Sequence, residues 1–254
     1  MNTRITRTIG LWTFMIGVTF GFASLDAQES STLNRTRVEG YRTRMVEGWT
    51  VHVSVQLSEK QPVKTRKSLE LLAKQLETIL EIIPENALKH IQVVPIWLSP
   101  EYPGVRPTAE YHPSRAWLQK EGRPIEMAEC VELTNIAIFE KECRRMPMMI
   151  LHELAHAYHH QVLGFENAEI QSAYQRALAS GSYDRVKRNT GRTERAYGMN
   201  NHKEYFAEST EAYFGTNDFF PFNRGQLHAH DPKMERLLGR LWKADEGKGP
   251  QIRR

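Results

Sequence analysis

The stretch "ILHELAHAYHH" (150–160) constrains this chain more than any other. Pro147 is well placed as the first residue of a helix. Leu151, Leu154, Ala155, Tyr158 and Val162 then fall at i, i+3, i+4, i+7 and i+11, a continuous apolar stripe that faces a core. His152 and His156 are four apart, so they project from one face, one turn above the other. This H-E-x-x-H spacing lets two imidazoles reach a single Zn2+ ion and leaves Glu153 beside it as a general base. His159 and His160 extend the cluster. A straight helix brings only two side chains easily to an ion near one axial stripe, so both are expected at the rim or in solvent.

A third ligand must then come from elsewhere. Downstream lies "AYGMNNHKEYFAESTEAYF" (196–214), where Glu204 and Glu208 are four apart on one face of a second helix. A glutamate there would complete a His2Glu set with one open position. Glu208, one turn on, is placed to accept a hydrogen bond from a ligating imidazole and fix its tautomer. A bland alternative stays open: Asn201 followed by Glu204 also fits an N-cap with its capping-box partner, which needs no metal.

"HELAH" followed by "YGMNNHKEYFAE" resembles the catalytic domain of anthrax lethal factor and related gluzincin metallopeptidases. In that family a tyrosine lies seven residues before the ligating glutamate, and Tyr197 stands seven before Glu204. The likeness covers roughly residues 126–214 and is sharp at the two motifs. It implies His152, His156 and Glu204 as metal ligands, Glu153 as general base and Tyr197 as hydrogen-bond donor to the oxyanion, with Glu208 behind them. It also implies that a strand just before the active helix binds substrate as an added strand. "MAECVELTN" (127–135) is the candidate, with an ordinary core strand as the alternative. The chain departs from other gluzincins: the G-A-M-E-N-type motif of zinc aminopeptidases is absent, and His156 and Glu204 lie farther apart than in the thermolysin arrangement.

The first residues stand apart. Arg4 and Arg7 precede the uncharged run "IGLWTFMIGVTFGFA", and Ala27 offers a cleavage point. Residues 1–27 read as a secretory signal peptide, so the expectation is an exported, secreted or periplasmic protein. No second stretch is apolar enough to span a membrane, so no stable span is expected after cleavage. Removing Arg4, Arg7 and Asp26 takes the formal net charge from +4 to +3, too mild a balance to argue for nucleic acid. The most basic stretch, 184–195, reads as a solvated loop. Cys130 and Cys143 either pair in an oxidising compartment or remain separate thiols.

Residues 28–48 are polar and Arg-rich and read as a lead-in. Strands are expected at 49–57 and 91–99, the second at an edge or bulge because of Pro95. A helix over 65–83 carries Leu69, Leu72, Leu76, Ile79 and Ile83 and stops at Pro84. A long loop with a short helical turn fills 99–126, and one or two short strands fill 126–139. Helices follow at 147–163, 168–180, 202–214 and 232–243. His228 and His230, in the aromatic-rich 214–232, are spare metal candidates. The order implies an α+β domain, a small mixed sheet followed by a helical half that carries the active-site helix. With the resemblance, residues 49–254 form one zincin-like metallopeptidase domain. The expected activity is zinc-dependent hydrolysis of a peptide or protein substrate; the alternative is an inactive exported zinc protein.

Overall fold

The computed structural model describes residues 38–243; the expected signal peptide and residues 28–37 of the expected lead-in lie outside them. Strands β1 (Tyr41–Val46) and β2 (Trp49–Ser54) form a hairpin that leads into α1 (Val55–Lys60), α2 (Pro62–Ile82) and α3 (Glu85–Ile91). Short strands β3 (Ile96–Leu98), β4 (Ala109–Tyr111) and β5 (Val131–Leu133) follow, with α4 (Arg115–Lys120) between the last two. The helical half comprises α5 (Phe139–Arg145), α6 (Met149–Tyr158), α7 (Ala168–Ser180), α8 (His202–Phe214), α9 (Arg224–His230) and α10 (Pro232–Leu241). A small hairpin, β6 (Val186–Lys187) and β7 (Thr193–Glu194), interrupts it. This is a mixed α+β chain in which one five-stranded sheet, order β1-β2-β3-β5-β4, packs on helices.

The core sits between the sheet and α2, α6 and α8. Leu72, Leu76 and Ile79 of α2 are within 1% of full burial, as the helical spacing of its leucines requires. Trp49, Val51, Ile96, Val131 and Leu133 meet them from the sheet. A smaller cluster of Trp97, Leu118, Met127 and Cys130 fills the other face, under the 99–126 segment. Cys130 lies in this cluster and Cys143 in the main one, and both are free thiols.

Three expectations for the sheet change. Tyr41–Val46 is a strand rather than a polar lead-in: Arg42 and Arg44 alternate with half-buried Tyr41 and Thr43, a charged edge that discourages further pairing. The strand after Pro95 is central, parallel to β2 on one side and β5 on the other. Pro95 escapes the penalty because it precedes the paired residues and contributes only its carbonyl, which accepts from Val131 N at 3.0 Å. Most consequential, the 99–126 segment contains β4, antiparallel to β5 at the end of the sheet. The candidate substrate strand at 127–135 is therefore an interior strand, hydrogen-bonded on both sides, and the exposed edge belongs to β4.

Buried charge holds β4 in place. Glu132 of β5 is 1% exposed. Its Oε2 lies 2.9 Å from His112 Nε2 and 3.2 Å from Arg123 Nη1, while its Oε1 accepts from Tyr102 Oη at 2.8 Å. Arg123 also reaches Glu110 of β4 at 3.1 Å and lies over the rings of Tyr102 and Trp117. Burial opposes the Glu132 charge, and hydrogen bonds from His112, Ser99 and Tyr102 outweigh it, holding the carboxyl below its usual range. Glu132→Gln removes the charge facing a buried guanidinium. Urea unfolding should show a loss of roughly 3 kcal/mol, the low end for a broken buried pair because Glu110 still serves Arg123; a loss under about 1 kcal/mol would mean the network is dispensable.

Candidate metal centre

Helix α6 is buried along its whole length except at His156, which is partly exposed. Its stripe of Leu151, Leu154, Ala155 and Tyr158 is within 1% of full burial. Val162, expected on the same stripe, is 38% exposed. The helix widens into a π-turn over His159–Leu163, and the extra residue per turn rotates every later side chain. A different cause corrects the expectation for His159, whose N–H still bonds Ala155 O and which, at i+4 from Ala155, lies on the buried stripe by ordinary helical spacing. It is fully buried against Phe165, His202 and Phe206 rather than at the rim, and burial pushes its imidazole down to about 3. His160 stays at the margin, with Nδ1 2.9 Å from Tyr111 Oη.

Helix α8 crosses α6 and brings Glu204 to the histidine pair. Asn201 caps α8, its side chain accepting from the backbone of Lys203 and Glu204 at 2.9 and 3.0 Å. The capping reading therefore holds for Asn201, while the Glu204 carboxylate points across to α6. His152 Nε2 and His156 Nε2 are 3.2 Å apart, and Glu204 Oε2 lies 3.1 and 3.3 Å from them. A tetrahedral ion with metal–ligand bonds of about 2.0–2.2 Å separates its ligand atoms by roughly 3.3–3.6 Å. The triangle is at or just inside that size. Two imidazoles and one carboxylate are also the donor set that suits zinc.

The proton positions favour the same use. His152 Nδ1 is 2.7 Å from Glu211 Oε1, so the Nδ1–H donates to this fully buried carboxylate and the Nε2 lone pair faces the triangle. This is the partner expected of Glu208. The correction has a helical cause: seven residues carry a side chain to about 20° short of two full turns, four residues to about 40° past one, so Glu211 stays closer to the Glu204 face. Glu208 is buried behind with one oxygen lacking any donor, and burial together with Glu211 raises its carboxyl well above the usual range. Burial opposes charge on His152, yet Glu204 and Glu211 outweigh it and raise that imidazole well above its ordinary value. Burial also opposes charge on Glu204, and its two histidine partners hold it far below the carboxylate range. The pocket is built to hold a positive charge between these groups.

Glu153 sits one residue along from His152 and is 7% exposed. Its Oε2 accepts the backbone N–H of Tyr111 on β4 at 2.8 Å. Thr134 N donates to Thr108 O and His112 N to Cys130 O, so the even-numbered residues of β4 face β5. Ala109 and Tyr111 therefore turn their main-chain groups to the free edge, toward α6. Burial, the first cause, pushes the Glu153 carboxyl up to about 8. Tyr197 opens a short 3-10 turn, Tyr197–Asn200, and is 46% exposed over the cleft. The turn sits tight on α8: a Cβ on Gly198 would lie 3.2 Å from Tyr205 Cα, closer than a side chain comfortably allows. The cleft itself, about 350 Å³, is lined by His152, Glu153, His156, Tyr197, Glu204 and the outer edge of β4.

The structure thus gathers His152, Glu153, His156, Tyr197 and Glu204 in one cleft and sets Glu208 behind it. His228 and His230 fall elsewhere: His228 meets Glu235, and His230 packs between Tyr183 and Phe220. Sequence reading missed Glu211, whose i+7 spacing from Glu204 was the available signal, and β4, hidden as "TAEYH" between prolines. Comparisons with protein-family models, curated proteins and solved structures give no match to this chain.

The triangle makes a measurable claim. His152→Ala, His156→Ala and Glu204→Ala should each lose most bound zinc in a metal analysis of purified protein, whereas Glu208→Ala should retain it. Glu211→Gln, which keeps shape but loses the charge behind His152, should weaken zinc roughly 10- to 100-fold. Full zinc retention by Glu204→Ala would remove Glu204 from the ligand set.

Proposed function

We propose that this protein is an exported zinc-dependent endopeptidase, with a zincin-like site of the gluzincin kind related to that of anthrax lethal factor. The observation that carries the reading is the 3.1–3.3 Å triangle of His152, His156 and Glu204 with Glu153 and Tyr197 beside it. Binding a metal needs the first three residues and neither of the other two. Export rests on the charged and apolar pattern of residues 1–27. Among the described residues, no helix is long and apolar enough to cross a membrane.

When bound at the triangle, zinc would supply a Lewis acid for the scissile carbonyl and lower the pKa of a water to ~7. The rest falls to the chain's own side chains. Glu153 keeps one carboxylate oxygen on the Tyr111 N–H and offers the other to the attacking water. It takes the water's proton and later delivers it to the leaving amine, the ordinary cycle of a general base turned acid. Burial suits this, since a carboxyl raised toward neutrality binds and releases a proton more readily than one in water. Tyr197 presents its hydroxyl from the open side of the cleft and donates a hydrogen bond to the developing oxyanion. The free edge of β4 supports an extended peptide by main-chain pairing, with Ala109 the outward-facing residue closest to that task. Interior β5 takes no part in this.

Glu153→Gln keeps the side-chain shape and a hydrogen-bonding oxygen but removes the base. Zinc content should stay near that of the wild type, while hydrolysis of a casein or mixed-peptide substrate falls about 10²–10⁴-fold. Tyr197→Phe should also keep zinc and lower kcat by roughly 10²–10³, the worth of one oxyanion donor. A fully zinc-loaded wild-type chain that cleaves nothing in a peptide library across neutral pH would mark it instead as a zinc-binding protein without the activity.

A further inference from the structure

A second cavity, about 500 Å³, shares Thr108, His152, Glu153 and Tyr197 with the metal cleft and continues past them. Its floor is apolar, formed by Met146, Met149 and Phe219, and the charged part of its wall carries Arg106, Arg145 and Arg188 together with the carboxyls of Glu142, Glu208 and Asp218. Two of the arginines are pinned from below. Asp218 Oδ2 accepts from Arg145 Nη1 at 3.3 Å and from Arg188 Nε and Nη2 at 3.1 and 2.8 Å. Glu142 takes Arg145 Nε at 3.1 Å, and Glu194 lies 3.4 Å from Arg188 Nη1.

Exposure decides which charge a ligand meets. Asp218 is 1% and Glu142 12% exposed, whereas the side chains of Arg145 and Arg188 are 27% and 24% exposed. Arg106 is exposed outright. Asp218 and Glu142 sit beneath the two guanidinium groups, while Glu194, 41% exposed, flanks Arg188 from the solvent side. Each guanidinium has five N–H donors, and these carboxylates do not use them all. An arginine held in place by a buried aspartate loses little freedom on binding, which makes it a preorganised anion receptor. A basic group set against the arginine wall would meet like charge, and an apolar one would strip water from the arginines without replacing it.

We propose that this cavity is a substrate subsite for a carboxylate close to the scissile bond, supplied by an Asp or Glu side chain or by the terminal carboxylate of the peptide. The inference rests on the peptidase reading, because it makes the cavity the continuation of a substrate cleft. The zinc-loaded wild type is given a peptide library, half with free and half with amidated C-termini, and cuts are mapped by mass spectrometry. Enrichment of Asp or Glu at one flanking position in both halves assigns the side-chain source. Cuts confined to the free-terminus half assign the terminal carboxylate. Neutral or basic residues at both flanking positions, with no effect of amidation, overturn the subsite.

A binding arm keeps the two proposals separable. Zinc-loaded Glu153→Gln is titrated with one acidic peptide, its Glu-to-Gln analogue and the amidated form of each. Loss of the recognised carboxylate should weaken Kd roughly 10-fold or more, the worth of a charged hydrogen bond. Arg106→Glu should shrink that difference. Equal Kd for all four peptides overturns the subsite whether or not the wild type cleaves. Absence of cleavage with the Kd difference intact overturns only the peptidase reading.

Discussion

His152 is the side chain on which the site depends. One ring nitrogen faces Glu204 at 3.1 Å and the other faces Glu211 at 2.7 Å, so a single imidazole ties α6 to both ends of the α8 face. That is a demanding arrangement in a ring only 3% exposed. A neutral histidine can donate from one nitrogen only, and Glu211 fixes which one. The other nitrogen then has no proton to offer Glu204, and two acceptors face each other across 3.1 Å unless a cation stands between them. Either a second proton or a metal ion resolves this. His156 bringing a third donor atom to the same point favours the metal, since a proton needs only two.

The sheet serves this helix pair from the side. The edge strand β4 is three residues long, too short to hold itself, and it is fixed by charges buried on the face away from α6. Glu132, His112 and Arg123 hold its even-numbered positions while Tyr111, at an odd one, reaches Glu153. Alternation allows the division: side chains at even positions anchor one face and their main-chain groups pair with β5, while the main-chain N–H of Tyr111 turns to the free edge and meets the Glu153 carboxylate. The long 99–126 segment therefore works as part of the site, with α4 and Trp117 packed over the anchoring face.

What could be read from the sequence follows from how local each signal is. The helices of the second half repeat apolar residues over many turns, and α7 and α8 occur at Ala168–Ser180 and His202–Phe214, the spans their periodicity predicts. HELAH needs one helix to work and so can be recognised within it. Glu211, by contrast, is marked within α8 only by its i+7 spacing from Glu204, and its role appears only once α8 is packed on α6. His159 lies four residues beyond Ala155 on the buried stripe, a spacing that the polar character of the histidine cluster masked. Val162 is the residue that the widened turn carries outward, and nothing in "HHQVL" announces a π-turn. β4 and β1 escaped because three paired residues among prolines, or alternating arginines at an edge, carry too little apolar pattern to outweigh their composition.

The acids behind the triangle set the character of the whole centre. Glu208, Glu211 and Asp218 are 4%, 0% and 1% exposed, and burial of each is unfavourable unless charge is offset nearby. Arg145 and Arg188 offset Asp218 directly. Glu211 has His152 in contact and Arg145 near it, and Glu208 has no cation in contact; burial, the largest cause, pushes both carboxyls upward, with Glu211 adding to it at Glu208 and Asp218 at Glu211. A divalent ion on the far side of His152 would act on this cluster through the imidazole, polarising its Nδ1–H toward Glu211 and strengthening that hydrogen bond. Occupation of the triangle and stability of the α6–α8 crossing would then be one coupled equilibrium, because an ion there would bind a geometry that exists only when the two helices are packed.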